Sequence, residues 1–185
     1  MYLNILTTKG DKMTYITEDI KNELFKEYET PKHIIGHCEE VARVSDLIAL
    51  KLNDFGYKFN IELLNGAASV HDLVRLRDRH DLECAKILRK KGYEKESKLV
   101  ENHMRYSPFK KIEDIDEQDV LCLADRLVLE DSYVGLEKRM EYIKGKVKDK
   151  PEIIEKILNR QTETKRLMDS IESKIGISID ELCAK

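Results

Sequence analysis

The 185-residue chain has no tryptophan, only three prolines and eight glycines, four scattered cysteines and no long apolar run. Each scarcity excludes something. So few prolines and glycines leave little material for a strand-and-turn architecture, and with abundant Leu, Ile, Glu and Lys they favour helices throughout. Cys38, Cys84, Cys122 and Cys183 form no CxxC pair and have no histidine at zinc-finger spacing. They read as reduced thiols, which points to a cytoplasmic compartment. Nowhere do roughly eighteen apolar residues follow one another, and the first residues reach charge after a short apolar run, so neither a membrane partner nor an export signal is expected. Neither sign of charge dominates either. Lys plus Arg number 33 against 36 Asp plus Glu, a formal net charge of -3, which leaves no overall electrostatic case for a nucleic-acid partner.

What the chain does have is helical periodicity. Its length suits one domain with a core that needs no staples. The expected layout is all-α: a loose lead-in over 1–16, with Met13 an alternative first residue, a helical core over 17–135, and C-terminal helices over 136–185 packed on that core. Thr30 and Pro31 offer an N-cap and a first-turn proline for a helix over 31–54, along which His37, Val41, Val44 and Ile48 recur. Asn60 can cap a second helix leading towards His71 and Asp72. An amphipathic stretch over 81–91 closes at Gly92, and another runs over 94–105. Asp116 can cap an apolar helix with Asp125 inside it. Residues 136–148 and 151–174 carry apolar stripes among many charges, which suits helices that cover a core and offer a homodimer face.

The chemistry lies in a few residues. Only five histidines occur, and His37, His71, His80 and His103 fall on apolar helical faces or at helix ends. Singly, such a histidine is more often a packing residue than a ligand. The run Ser69-Val70-His71-Asp72-Leu73 changes the odds, because an imidazole and a carboxylate stand side by side after a buried segment. A divalent cation removes the penalty of burying that carboxylate. Asp125, among Leu121, Leu123, Ala124, Leu127 and Val128, repeats the argument. A salt bridge to Arg126 or Arg43 is its competing explanation, although neighbours on a helix point about 100° apart. His33, four residues before His37, offers another metal pair of i,i+4 type.

The segments His37-Cys-Glu-Glu-Val, Val70-His71-Asp72-Leu-Val-Arg75 and Leu123-Ala-Asp125-Arg-Leu-Val resemble the HD-domain phosphohydrolases over roughly residues 31–130. That resemblance implies an all-helical, HD-like bundle whose metal ligands are His37, His71, Asp72 and Asp125. His80 and His103 look like the two additional histidines of binuclear members, a branch that includes symmetric diadenosine-tetraphosphate hydrolases. Asp72 would then bridge to a second metal held by His80 and His103. The branch's second histidine beside the His103 position is absent, since the chain reads Asn102-His103-Met104 there.

The implied activity is hydrolysis of a phosphate ester or anhydride, in a nucleotide or small phosphorylated metabolite, by metal-activated water. Asp72 and Arg75 are the expected catalytic residues. Arg75, Arg77 and Arg105 are the substrate-binding candidates, with Arg79 beside them, because a guanidinium can clamp phosphate bidentately. One or two divalent ions are expected, and imidazole and carboxylate donors do not choose among iron, manganese, nickel, cobalt, zinc or magnesium. Competing readings are a phosphodiesterase on dinucleoside or cyclic nucleotides, and a non-catalytic sensor or scaffold that binds metal and nucleotide.

Overall fold

The computed structural model describes residues 15–147 and 150–184, so most of the expected lead-in, Met13 included, lies outside the described residues. Those described form nine α-helices and one two-stranded ribbon. The all-α expectation holds. The long helix α2 (Lys32–Asp54), preceded by α1 (Glu18–Glu27), is the axis of the fold. Its Ile34, Cys38, Val41, Val44, Ile48 and Leu52 recur at three- and four-residue steps and are buried, so one stripe runs along its whole length. Against it pack α3 (Ile61–Ala68) and α6 (Glu117–Asp125).

Local signals set these two helices. Asn60 Oδ1 accepts from the Leu63 amide at 3.0 Å at the start of α3. Asp116 and Asp119 form a reciprocal capping box on α6. Val120 to Ala124 are all at most 1% exposed, which leaves α6 no solvent face in that stretch. Helices α4 (His80–Lys90) and α5 (Glu94–Glu101) form a hairpin closed at Gly92, whose φ of +91° suits glycine. A single 3-10 turn, His103–Arg105, follows α5. The ribbon pairs β1 (Val128–Leu129) with β2 (Ser132–Tyr133), and α7 (Gly135–Lys146), α8 (Pro151–Ile175) and α9 (Ile179–Cys183) complete the chain.

Four details depart from expectation. Thr30 does not cap α2, which has Pro31 at its cap and no side-chain cap bond. The Thr30 hydroxyl donates instead to Leu73 O at 2.8 Å, satisfying a buried carbonyl that has no helix to serve it. Asp125 is the last residue of α6 rather than an interior one. Tyr15 and Ile16, assigned to the loose lead-in, are anchored: Ile16 is 5% exposed and its amide donates to Glu96 at 3.1 Å. Gly66 permits that crossing, since a Cβ there would stand 3.1 Å from Ile16 O. Lastly, the apolar stripe of α8 is not uniformly exposed: Ile157, Leu167, Met168 and Ile171 are buried against the core, Ile153 and Ile154 are half-buried and Leu158 is exposed.

Candidate metal centre

Helix α3 stops at Ala68, and residues 69–79 descend in tight turns before α4 begins. His71 and Asp72 sit at the top of this descent, 0% and 1% exposed. The Thr30 hydroxyl on Leu73 O and the Cys84 thiol on Val70 O, at 3.2 Å, fix the backbone on either side of them. His37 reaches in from α2, His80 from the first turn of α4, His103 from the 3-10 turn and Asp125 from the end of α6. All six ligand candidates from the sequence converge.

Three imidazoles are oriented by the same device. The Nδ1 of His71 lies 2.8 Å from Ala68 O, that of His103 2.8 Å from Val100 O, and that of His37 2.9 Å from Glu130 O. A carbonyl only accepts, so each Nδ1 carries the proton and donates. In the neutral ring Nε2 then keeps its lone pair and faces the cluster. Glu130 presents its carbonyl from the ribbon turn, where its φ is +54°. Gly36, next to His37, lets that turn approach: a Cβ there would meet Asp131 Cβ at 3.0 Å.

Asp72 divides its two oxygens between two pairs of rings. Its Oδ2 lies 3.6 Å from His37 Nε2 and 3.5 Å from His71 Nε2. Its Oδ1 lies 3.1 Å from His80 Nε2 and 3.5 Å from His103 Nε2. Asp125 Oδ1 faces the first pair only, 3.1 Å from His37 and 3.8 Å from His71. Two donor groups result, one with His37, His71 and Asp72, the other with Asp72, His80 and His103.

Electrostatics reflect this crowding. Burial would raise Asp72, but the rings of His71, His103 and His80 together with Arg75 hold it well below the usual carboxylate range. Asp125 is likewise held low, burial being outweighed by its bond to His37 and the positive potential of both rings. Burial depresses His71 to about 4. In His37 and His103 burial acts the same way and is overcome by Asp125 and Asp72 respectively, so both rise.

The cluster is not satisfied by its own members. His71 Nε2, Asp72 Oδ1, His80 Nε2 and His103 Nε2 are all buried and none makes a hydrogen bond. Proximity without hydrogen-bond geometry is what lone pairs aimed at a common point produce. Atoms about 2.1 Å from one ion, at angles near 90–110°, lie roughly 3.0–3.4 Å apart, close to the separations around Asp72. The residues therefore fit a divalent cation in either group.

The competing partners for Asp125 are engaged elsewhere. Arg126 donates to Tyr106 O and Thr164 and stacks on Phe109, and Arg43 serves Glu40 and Cys183 O. His33 is exposed and belongs to neither donor group. The four cysteines are buried, Cys84 and Cys122 with thiols raised by burial, consistent with core packing alone.

The candidate arginines lie in different surroundings. Arg75 contacts Asp72 directly and lines the cavity beside His37. Arg77 instead lies over the Tyr28 ring at 5.7 Å, and Arg105 is held by Asp81 at 2.8 Å, with Arg79 beside it. None of these three lines the cavity. Sequence reasoning missed the residues that do, Arg139, Tyr142 and Lys146 of α7. Their spacing of three and four residues along one helical face was their only signal.

The family model described as the HD domain matches residues 34–129, just over half of the chain. The chain belongs to the HD-domain family. The HD match begins in the first turn of α2, ends in β1 and contains all six clustered histidines and aspartates, while α7 to α9 lie beyond it. No curated protein and no solved structure matches significantly. No helix among the described residues is long and apolar enough to cross a membrane.

Proposed function

We propose that this HD-domain protein is a metal-dependent phosphohydrolase that cleaves a phosphate ester or anhydride in a nucleotide or other small phosphorylated metabolite. The observation that carries the reading is the set of four buried, unbonded donor atoms around Asp72, since a buried polar atom left unpaired costs about 1–3 kcal/mol and a cation relieves several at once. His37, His71, Asp72 and Asp125 would hold one ion, and Asp72, His80 and His103 a second. Divalent ions bound there supply positive charge to phosphoryl oxygens and lower the pKa of water at the phosphorus.

The protein's own groups do the rest. The backbone carbonyls of Ala68, Val100 and Glu130 hold the imidazole rings in one tautomer, so the donor atoms need no reorganisation when the ions arrive. Asp72 contributes through both oxygens and is the residue whose loss affects both groups. Arg75, 41% exposed at the cavity wall with its guanidinium on Asp72, would take phosphoryl oxygens bidentately. Burial of Leu73 and Val74 excludes water from behind the site.

The test is turnover of p-nitrophenyl phosphate and a panel of nucleotides by wild type and Asp72→Ala under manganese, cobalt, nickel, iron, zinc and magnesium. Metal-dependent release of phosphate by wild type, reduced at least about a thousandfold in the variant, is expected. Activity equal in the two proteins refutes the reading, as does metal binding without turnover of any substrate, which turns it to a sensor.

A further inference from the structure

Beside the metal centre lies a cavity of about 480 Å³, in the range of a small-molecule site. His37 and Arg75 line it, so it borders the first donor group. Helix α7 also lines it, through Arg139, Tyr142, Ile143 and Lys146, and the ribbon turn adds the carboxylates of Glu130 and Asp131. The four α7 residues recur at i, i+3, i+4 and i+7, a single helical face. Hydrolysis of one phosphoryl group requires the metal donors and Arg75. It leaves Arg139 and Lys146 without a task.

Both cations are gathered on one ring. Lys146 Nζ stands 4.3 Å and the Arg139 guanidinium 6.0 Å from the centre of Tyr142. Cation–π contact draws together two like charges that would otherwise separate in water. Arg139 Nε is buried and without a hydrogen-bond partner. Among the described residues, neither Arg139 nor Lys146 has a carboxylate at ion-pair distance, whereas Arg75 has Asp72 and Arg105 has Asp81. A buried guanidinium nitrogen left unpaired is costly, and an anion entering the cavity is the simplest relief.

Resting on the phosphohydrolase reading for the direction in which substrate lies, we propose that Arg139 and Lys146, held by Tyr142, form a subsite for a second phosphoryl group of the substrate. The substrate class is then a bis- or polyphosphorylated metabolite, with one phosphoryl group at the metal centre and another against α7. A simple monophosphate fills only the first position.

The test is binding rather than turnover, so it stands even if no hydrolysis is found. The probes are α,ω-alkanediphosphonates of two to six carbons and the matching monophosphonates, whose C–P bonds are not hydrolysed. They are titrated calorimetrically into the full-length, manganese-loaded protein. At its best chain length the diphosphonate is expected to bind at least about tenfold more tightly than its monophosphonate, the effect of about one charge-assisted hydrogen bond. That preference should fall to about one in Arg139→Gln/Lys146→Gln, and part of the way in Lys146→Gln, a substitution at an exposed position that leaves the fold intact. No preference at any length in wild type overturns the proposal, and so does a preference that survives both substitutions.

Discussion

Asp46 should weaken the folded protein at neutral pH, and replacing it with asparagine should reveal by how much. Asp46 Oδ2 accepts from Asn65 Nδ2 at 2.6 Å, while its Oδ1 is buried without a partner. Burial raises its pKa from 3.8 to about 6, with the Asn65 bond pulling the other way. A carboxyl whose folded pKa exceeds its unfolded value prefers to be protonated in the fold. Its ionisation therefore costs nothing below about pH 4, costs progressively more between about 4 and 6, and is fully unfavourable above. Two pKa units correspond to about 3 kcal/mol, and partial solvent access reduces this to about 1–2 kcal/mol. Asp46→Asn keeps the shape and removes the charge, so it should gain about 1–2 kcal/mol on wild type between pH 4 and pH 8. The assay is urea unfolding of both proteins at several pH values under identical metal conditions. Taking the difference between the proteins cancels other titrations, because Asp46 is not part of the metal cluster. A stability difference that stays constant with pH, or favours wild type more as pH rises, refutes the reasoning.

Other outcomes follow from the same geometry. Elemental analysis of wild type should give about two metals per chain, and about one in His80→Ala/His103→Ala; equal loading of the two removes the second donor group. Stripping metal with a chelator should lower the melting temperature, and restoring an ion to about a thousand times its Kd should return about 4 kcal/mol, whereas a melting curve indifferent to chelation removes the metal. Gly36→Ala must push Asp131 aside by a few tenths of an ångström and so loosen the carbonyl that orients His37; chelator competition should show up to about tenfold weaker metal binding. Leu121→Ala, at a fully buried position, should cost about 2–5 kcal/mol in urea unfolding, while Leu158→Ala, 47% exposed, should change stability by less than about 0.5 kcal/mol.

The helices legible in the sequence were those with an apolar stripe and a terminal signal together. Asn60 with Leu64, Ala67 and Ala68, and Asp116 with Val120 to Ala124, are such pairs. Helix α1 was missed because only Leu24 and Phe25 are apolar and buried in its ten residues, although Thr17 followed by Glu18 and Asp19 is a serviceable N-terminal signal. Helix α9 is shorter still, five residues behind Ser178. The two-residue strands of the ribbon carry no periodicity at all, yet their turn positions His37. Arg139, Tyr142 and Lys146 were illegible for a different reason. On α7 they look like an ordinary solvated face, and only the packing of that helix beside the cavity makes them part of its lining.

The histidine–aspartate doublet itself contains a geometric puzzle that sequence reasoning passed over. Adjacent residues within a helix diverge by about 100°, the very argument that set Arg126 aside as a partner for Asp125. Applied to a helix running through His71 and Asp72, it would forbid their side chains from sharing a centre. The fold escapes by ending α3 at Ala68. In the tight turns that follow, His71 Nε2 and Asp72 Oδ2 come to 3.5 Å, and both residues remain buried. Leaving the helix also frees the His71 ring to return its Nδ1 proton to Ala68 O, one of the carbonyls exposed by the helix ending there. The broken helix supplies the hydrogen-bond acceptor that fixes the tautomer, and the turn supplies the convergence. A substitution that extended α3 by one turn would remove both at once, so the doublet works because it follows the helix rather than lying within it.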